Sequence, residues 1–203
     1  MQTRFKGIIL GLFFVLIASM FNVYSDEYVI GKISCFDANH IIKMNFKYDD
    51  EEKVFYINRT DEYGKIYWFT VTNDQINTIR QSLGKCKEWI KIAKENQVDV
   101  SKELPNSKLS VPGAMKWSDD FYVSLYNLSL EFYFVSVNGT GALAIKGNKV
   151  RSSSNQFIDL KWNDVMLMES DVDIFIDVIS QENIDTEIKK HDEKKNDSDD
   201  LFN

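Results

Sequence analysis

The chain has 203 residues, with 31 Asp and Glu against 24 Lys and Arg. That acidic balance leaves no electrostatic footprint for nucleic-acid phosphates or for an anionic membrane surface. At 44% hydrophobic residues and only two prolines, the chain is built to bury a core and lacks the composition of a disordered protein.

The amino terminus carries an address. Arg4 and Lys6 precede Gly7–Phe21, an uncharged and mostly apolar run of about 15 residues, short of the roughly 20 that span a bilayer. Val23 and Ser25 stand three and one residues before Asp26-Glu27, the small-residue spacing that a signal peptidase reads. Residues 1–25 are therefore expected to be a signal peptide cleaved after Ser25, with the mature protein secreted or periplasmic. An uncleaved anchor is the alternative. No Cys follows the run until Cys35, which argues against a lipid-anchored lipoprotein. Taking 25 residues from 203 leaves 178, one ordinary domain or two small packed ones. Losing two of 24 cations leaves 22 against 31 acidic residues, a net of −9.

Tyr28–Cys35 reads as a first strand. Ile42, Met44, Phe46 and Tyr48 alternate with Lys43, Asn45 and Lys47, the period-2 mark of a half-buried strand. Lys53–Asn58 and Lys65–Val71 are two more strands, joined by a hairpin-length loop that ends at Gly64. Thr72 with Gln75 forms a capping box for a helix whose stripe is Ile76, Ile79, Leu83, Cys86, Ile90 and Ala93. Gly84 interrupts it, which suggests a close approach by a strand. Asn96–Ser110 is polar, contains Pro105, and reads as a connector. Strands resume at Phe121–Tyr126 and Leu128–Val137. Asn138-Gly139 is a turn signal, leading to a strand at Ala142–Lys146. After a polar loop, Phe157–Trp162 and Val165–Met168 look extended. Ser170 is expected to cap a second, deeply buried helix carrying Val172, Phe175, Ile176 and Ile179. Beyond about Glu182 the pattern decays into a charged run.

The fold class expected is α+β: antiparallel strands in two meander-plus-helix halves, with the helices packed on the sheet. The domain spans 26–182, its halves about 26–97 and 108–182, and 183–203 reads as a charged, disordered tail. Val71, Ile76, Ile79 and Leu83 fall on Leu167, Val172, Phe175 and Ile179 at a spacing of 96 residues. Duplication and coincidence between two similar units both account for that match.

Chemistry is sparse. His40 and His191 are the only histidines, and neither lies in a zinc-ligand spacing. HExxH, CxxC and GxSxG are absent, so no catalytic residue, metal site or cofactor is assigned. Gly139-Thr140-Gly141 belongs to a hairpin rather than to a phosphate loop. Asp119 and Asp120 are the leading acid/base candidates should the protein be a carboxylate-dependent hydrolase. Asp171, Asp173 and Asp177 suit a helix start. Cys35 and Cys86 are the candidate pair for one disulfide in an exported protein, the alternative being two buried thiols. Tyr122 and Tyr126 on one strand and Tyr133 on the next share the outer face and form a candidate binding face. Asn58, Asn127, Asn138 and Asn196 stand in Asn-x-Ser/Thr sequons, relevant only in a eukaryotic secretory pathway. The leading expectation is an exported, non-catalytic binding or accessory protein of the periplasm, cell envelope or extracellular space. Its partner would be a protein or a carbohydrate, not nucleic acid, with no stable membrane insertion after signal cleavage. A hydrolase and a self-associating envelope structural protein are the alternatives.

Overall fold

A computed structural model of the chain describes residues 27–37, 40–60, 64–118, 121–151, 159–162 and 164–200. The segment read as a signal peptide lies outside the described residues. The elements run β1 (Glu27–Asp37), β2 (His40–Asp49), β3 (Val54–Thr60), β4 (Ile66–Thr72), α1 (Asn73–Asn96), β5 (Val100–Ser118), β6 (Phe121–Val137), β7 (Thr140–Gly147), β8 (Lys149–Arg151), β9 (Asp159–Lys161), β10 (Val165–Met168), α2 (Glu169–Val178) and α3 (Gln181–Asp200). Eight strands close an antiparallel barrel in the order β1-β10-β7-β6-β5-β4-β3-β2, and β8 with β9 form a separate two-stranded sheet.

The α+β reading holds, and the two halves explain the closure. Each half supplies four consecutive barrel strands and then a helix. The fourth strand of each half pairs with the first strand of the other: β4 with β5, and β10 with β1. The apolar face of each barrel strand joins one core with α1 and α2. Both strand-to-helix junctions are built alike. Gln75 Oε1 accepts the Thr72 N–H at 3.0 Å, and Asp171 Oδ2 accepts the Met168 N–H at 3.3 Å. The four matched apolar pairs 96 residues apart are all buried.

Turn chemistry sets the hairpins. Asn138 and Gly139 both take positive φ, 49° and 72°, as a tight two-residue hairpin requires. Asp49 is turned inward, and its Oδ1 accepts the N–H groups of Glu51 and Glu52 at 3.0 and 2.9 Å. α1 lays its predicted stripe into the core, packing chiefly on β7 and β5. The close approach occurs at Gly141 of β7, where a Cβ would stand 2.8 Å from Ile90 Cγ1. Gly84 instead is exposed, with nothing within 4 Å of a Cβ.

Four local readings are corrected. The connector 96–110 is largely the start of β5. Its register shifts between Glu103 and Lys108 and again between Val111 and Gly113, and Pro105 and Pro112 fall in those shifts. Proline lacks the N–H a ladder needs and collects at bulges, so the alternation that marks a strand is broken there. Phe121–Val137 is one strand, not two: Leu125 and Leu128 oppose Gly113 and Val111, so β6 carries one extra residue there. The second helix starts at Glu169 with Met168 as its N-cap, so Ser170 lies inside it, and Ile174 is 44% exposed rather than buried. The charged carboxyl-terminal run forms α3. Ser180 Oγ accepts the Asn183 N–H at 3.1 Å, and Asn183 Nδ2 donates to Ile30 O at 2.8 Å. Ile184 is buried and Ile188 packs on the core, so two apolar anchors hold a segment whose mean composition is polar.

Candidate functional site

The candidate disulfide is overturned, and the alternative of two buried thiols stands. Cys35 points inward from β1, and Cys86 points inward from α1, well beyond bonding distance, and both thiols are free and buried. Burial pushes each thiol up to about 12, so neither supplies a nucleophilic thiolate near neutral pH.

The candidate carboxylates divide. Asp119 and Asp120 lie outside the described residues. Asp171 caps α2, and Asp173 Oδ1 pairs with Lys87 Nζ at 2.5 Å. Asp173 also borders an open cleft of about 420 Å³ with Thr140, Gly141, Met168, Glu169 and Ser170. Its second carboxylate, Glu169, faces Lys94 at 3.7 Å, so its charges are already balanced by α1.

Among the tyrosines, Tyr122 and Tyr126 lie on the β6 backbone, with side chains outside the described residues. Tyr133 is half-buried on the outer face; its hydroxyl donates to Glu131 Oε2 at 3.1 Å, and Lys146 Nζ sits 4.1 Å from its ring centre. Glu131 also pairs with Lys108 at 2.7 Å. Its carboxyl is held below the usual range, first by Lys108 and then by the Tyr133 hydroxyl. Of the sequon residues, Asn138 is exposed in its turn. Asn58 is half-buried in mid-strand with its Oδ1 accepting from Asn45 Nδ2 at 3.0 Å. Asn127 and Asn196 lie on β6 and α3, their side chains outside the described residues.

The least expected chemistry is internal. Arg59 follows Phe55 and Ile57 on the inward face of β3 and has no exposed surface. Its Nη1 donates to Asp37 Oδ2 at 2.9 Å. The guanidinium lies 4.1 Å from the Trp162 ring centre and 4.9 Å from that of Tyr67. Among the described residues no acceptor meets Arg59 Nε, Arg59 Nη2 or Trp162 Nε1. Each unmet buried donor costs about 1–3 kcal/mol. With Arg59 wholly enclosed, the cluster anchors the core rather than presenting a surface.

The outward face of β1–β4 is a different kind of place. Backbone register aligns Lys32, Asn45, Asn58 and Trp68 across four strands, and beside them Val29, Lys47, Tyr56 and Thr70. Tyr56 and Trp68 are diagonal neighbours, about 7–8 Å apart by strand geometry. Lys32 and Lys43 are exposed, and Asn45, Lys47, Tyr56, Asn58 and Trp68 half-buried. Residue reasoning singled out none of this surface except Asn58, and that only as a sequon. The polar positions of β2 were visible as alternation, but their alignment with Trp68, 25 residues after Lys43, depends on register across two hairpins.

Among the described residues no helix is long and apolar enough to cross a membrane. The barrel carries its apolar side chains inside, the reverse of a membrane-spanning barrel. No protein-family model, no curated protein and no solved structure matches this chain.

Proposed function

We propose that this is an exported, non-catalytic binding protein of the periplasm, cell envelope or extracellular space, and that its outer β1–β4 wall holds a carbohydrate. The observation that carries the reading is the row Lys32–Asn45–Asn58–Trp68 with Tyr56 on the diagonal. Aromatic rings offer flat apolar area with a polar tip, suited to the face of a sugar ring. The amides and ammonium groups beside them offer donors and acceptors for hydroxyls. The surface is a sheet and therefore rigid, so little ordering entropy opposes binding. The structural duties of Asp171 and Asp173 support the non-catalytic side of the reading.

The test is intrinsic-fluorescence titration of the full chain with a panel of soluble polysaccharides, repeated on Trp68→Ala and Tyr56→Ala. Binding by the parent, weakened on the order of tenfold or more in each variant, matches the loss of a stacked ring. Parent-like affinity in both variants would reject this wall as the binding face.

A further inference from the structure

We infer that Asn138 is the acceptor of an N-linked glycan, added when the chain passes through a secretory pathway that transfers oligosaccharide to Asn-x-Thr. The inference rests on the export part of the reading above and adds the place and chemistry of a modification. Asn138-Gly139-Thr140 is a sequon, and such sequences carry glycans on the surface of secreted proteins. The fold sets this one at the tip of the β6–β7 hairpin, with Asn138 and Thr140 both exposed. The backbone there is fixed: the Asn138 N–H donates to Asp99 Oδ1, and both turn residues take positive φ. Among the described residues no hydrogen bond occupies the Asn138 side-chain amide or the Thr140 hydroxyl. Both groups of the sequon therefore stand clear of the protein.

Asn58 is placed in the opposite way. It lies in mid-strand, half-buried between Asn45 and Trp68, each one strand spacing of about 5 Å away. Its side chain is bonded to that of Asn45, and a sugar on its amide would crowd both neighbours. The surroundings of Asn138 also give a glycan something to cover. Val137 is 58% exposed, and Val98 and Val100, either side of Asp99, are 41% and 37% exposed. Because Asp99 holds the Asn138 N–H, these valines lie around the hairpin tip, where a bulky, solubilising sugar chain shields apolar surface. In the closed strand order β6 and β7 stand four places from β2 and β3, so the glycan leaves the middle of the β1–β4 wall open. The transfer joins Asn138 Nδ2 to C1 of the first sugar of a lipid-diphosphate-linked oligosaccharide. The lipid diphosphate departs as the leaving group, and the amide gives up one proton.

The experiment expresses the full chain, with its own amino terminus, in a eukaryotic secretory host. Protein from the medium is treated with peptide-N-glycosidase in heavy-oxygen water, which converts each occupied Asn to labelled Asp, and its peptides are read by mass spectrometry. Asn138 is expected to be occupied in most secreted molecules and Asn58 in few. Thr140→Ala keeps the Asn-Gly turn and abolishes the sequon, so this variant is expected in the medium with one glycan fewer. A secreted product with Asn138 unoccupied, or with Asn58 occupied as fully as Asn138, overturns the inference and leaves export standing. A chain retained in the cells with no glycan at any site overturns the export reading, and this inference with it.

Discussion

Replacing Asp37 by Asn probes the most costly element of the core. Arg59 has no exposed surface, and among the described residues the carboxylate it contacts is Asp37, with Oδ2 at 2.9 Å. The Trp162 and Tyr67 rings, at 4.1 and 4.9 Å, supply about 2 kcal/mol of cation–π attraction in a desolvated site, too little to replace a counter-charge. Removing one partner of a buried pair costs about 3–5 kcal/mol, because the remaining charge is left uncompensated. In a domain of this size that lowers the melting temperature by roughly 6–20 °C. The double variant Asp37→Leu/Arg59→Met removes both charges and with them the unmet Arg59 Nε and Nη2 donors. Its stability is expected within about 1 kcal/mol of the parent, or above it. Urea unfolding followed by far-UV circular dichroism measures both. An Asp37→Asn variant within about 1 kcal/mol of the parent, or a double variant as unstable as the single one, would refute the reasoning.

Three further outcomes follow from the same packing. Both thiols, raised to about 12 from 9.0, should resist iodoacetamide in the native protein at pH 8 and react once it is denatured. The folded state keeps protons that the unfolded chain releases above about pH 9, so this contribution is complete below that pH. It is lost as pH rises toward 12, and the urea midpoint should fall across that window; a flat profile in the parent relative to a Cys35→Ala/Cys86→Ala variant would contradict it. Gly84→Ala should stabilise by about 1 kcal/mol, since a Cβ there meets nothing within 4 Å. Gly141→Ala should destabilise by about 1–3 kcal/mol, since its Cβ would stand 2.8 Å from Ile90 Cγ1; equal unfolding midpoints for the two variants would undo that account. Ile184→Ala should cost about 2–4 kcal/mol if α3 is packed as described, and nothing measurable if residues beyond 183 are a loose tail.

Local periodicity and capping were legible from residues alone. Ile76 through Ala93 at spacings of three and four, preceded by Thr72 and Gln75, dictated α1 with its buried stripe, and Asn138-Gly139 dictated its hairpin. What failed did so for identifiable reasons. Pro105 and Pro112 broke the alternation of β5 at its bulges, and the extra residue after Leu125 split β6 into two apparent strands. Ile184 and Ile188 were too few to outweigh the charged residues around them, although two anchors suffice once a core is there to receive them. Arg59 occupied an inward position that parity with Phe55 and Ile57 would have exposed, but only the fold supplies Asp37, Tyr67 and Trp162 around it. The candidate wall was hidden for another reason: Lys32, Asn45, Asn58 and Trp68 become a row only through the register of three strand pairings.

The most direct test of the wall is a two-dimensional amide and indole NMR titration of the isotopically labelled protein with short soluble oligosaccharides. Perturbations should concentrate on the amides of Lys32, Lys43–Lys47 and Tyr56–Asn58 and on the Trp68 indole. Saturable shifts centred instead on the Tyr133 face of β6 or on the cleft at Asp173, with the β1–β4 amides unmoved, would contradict the account.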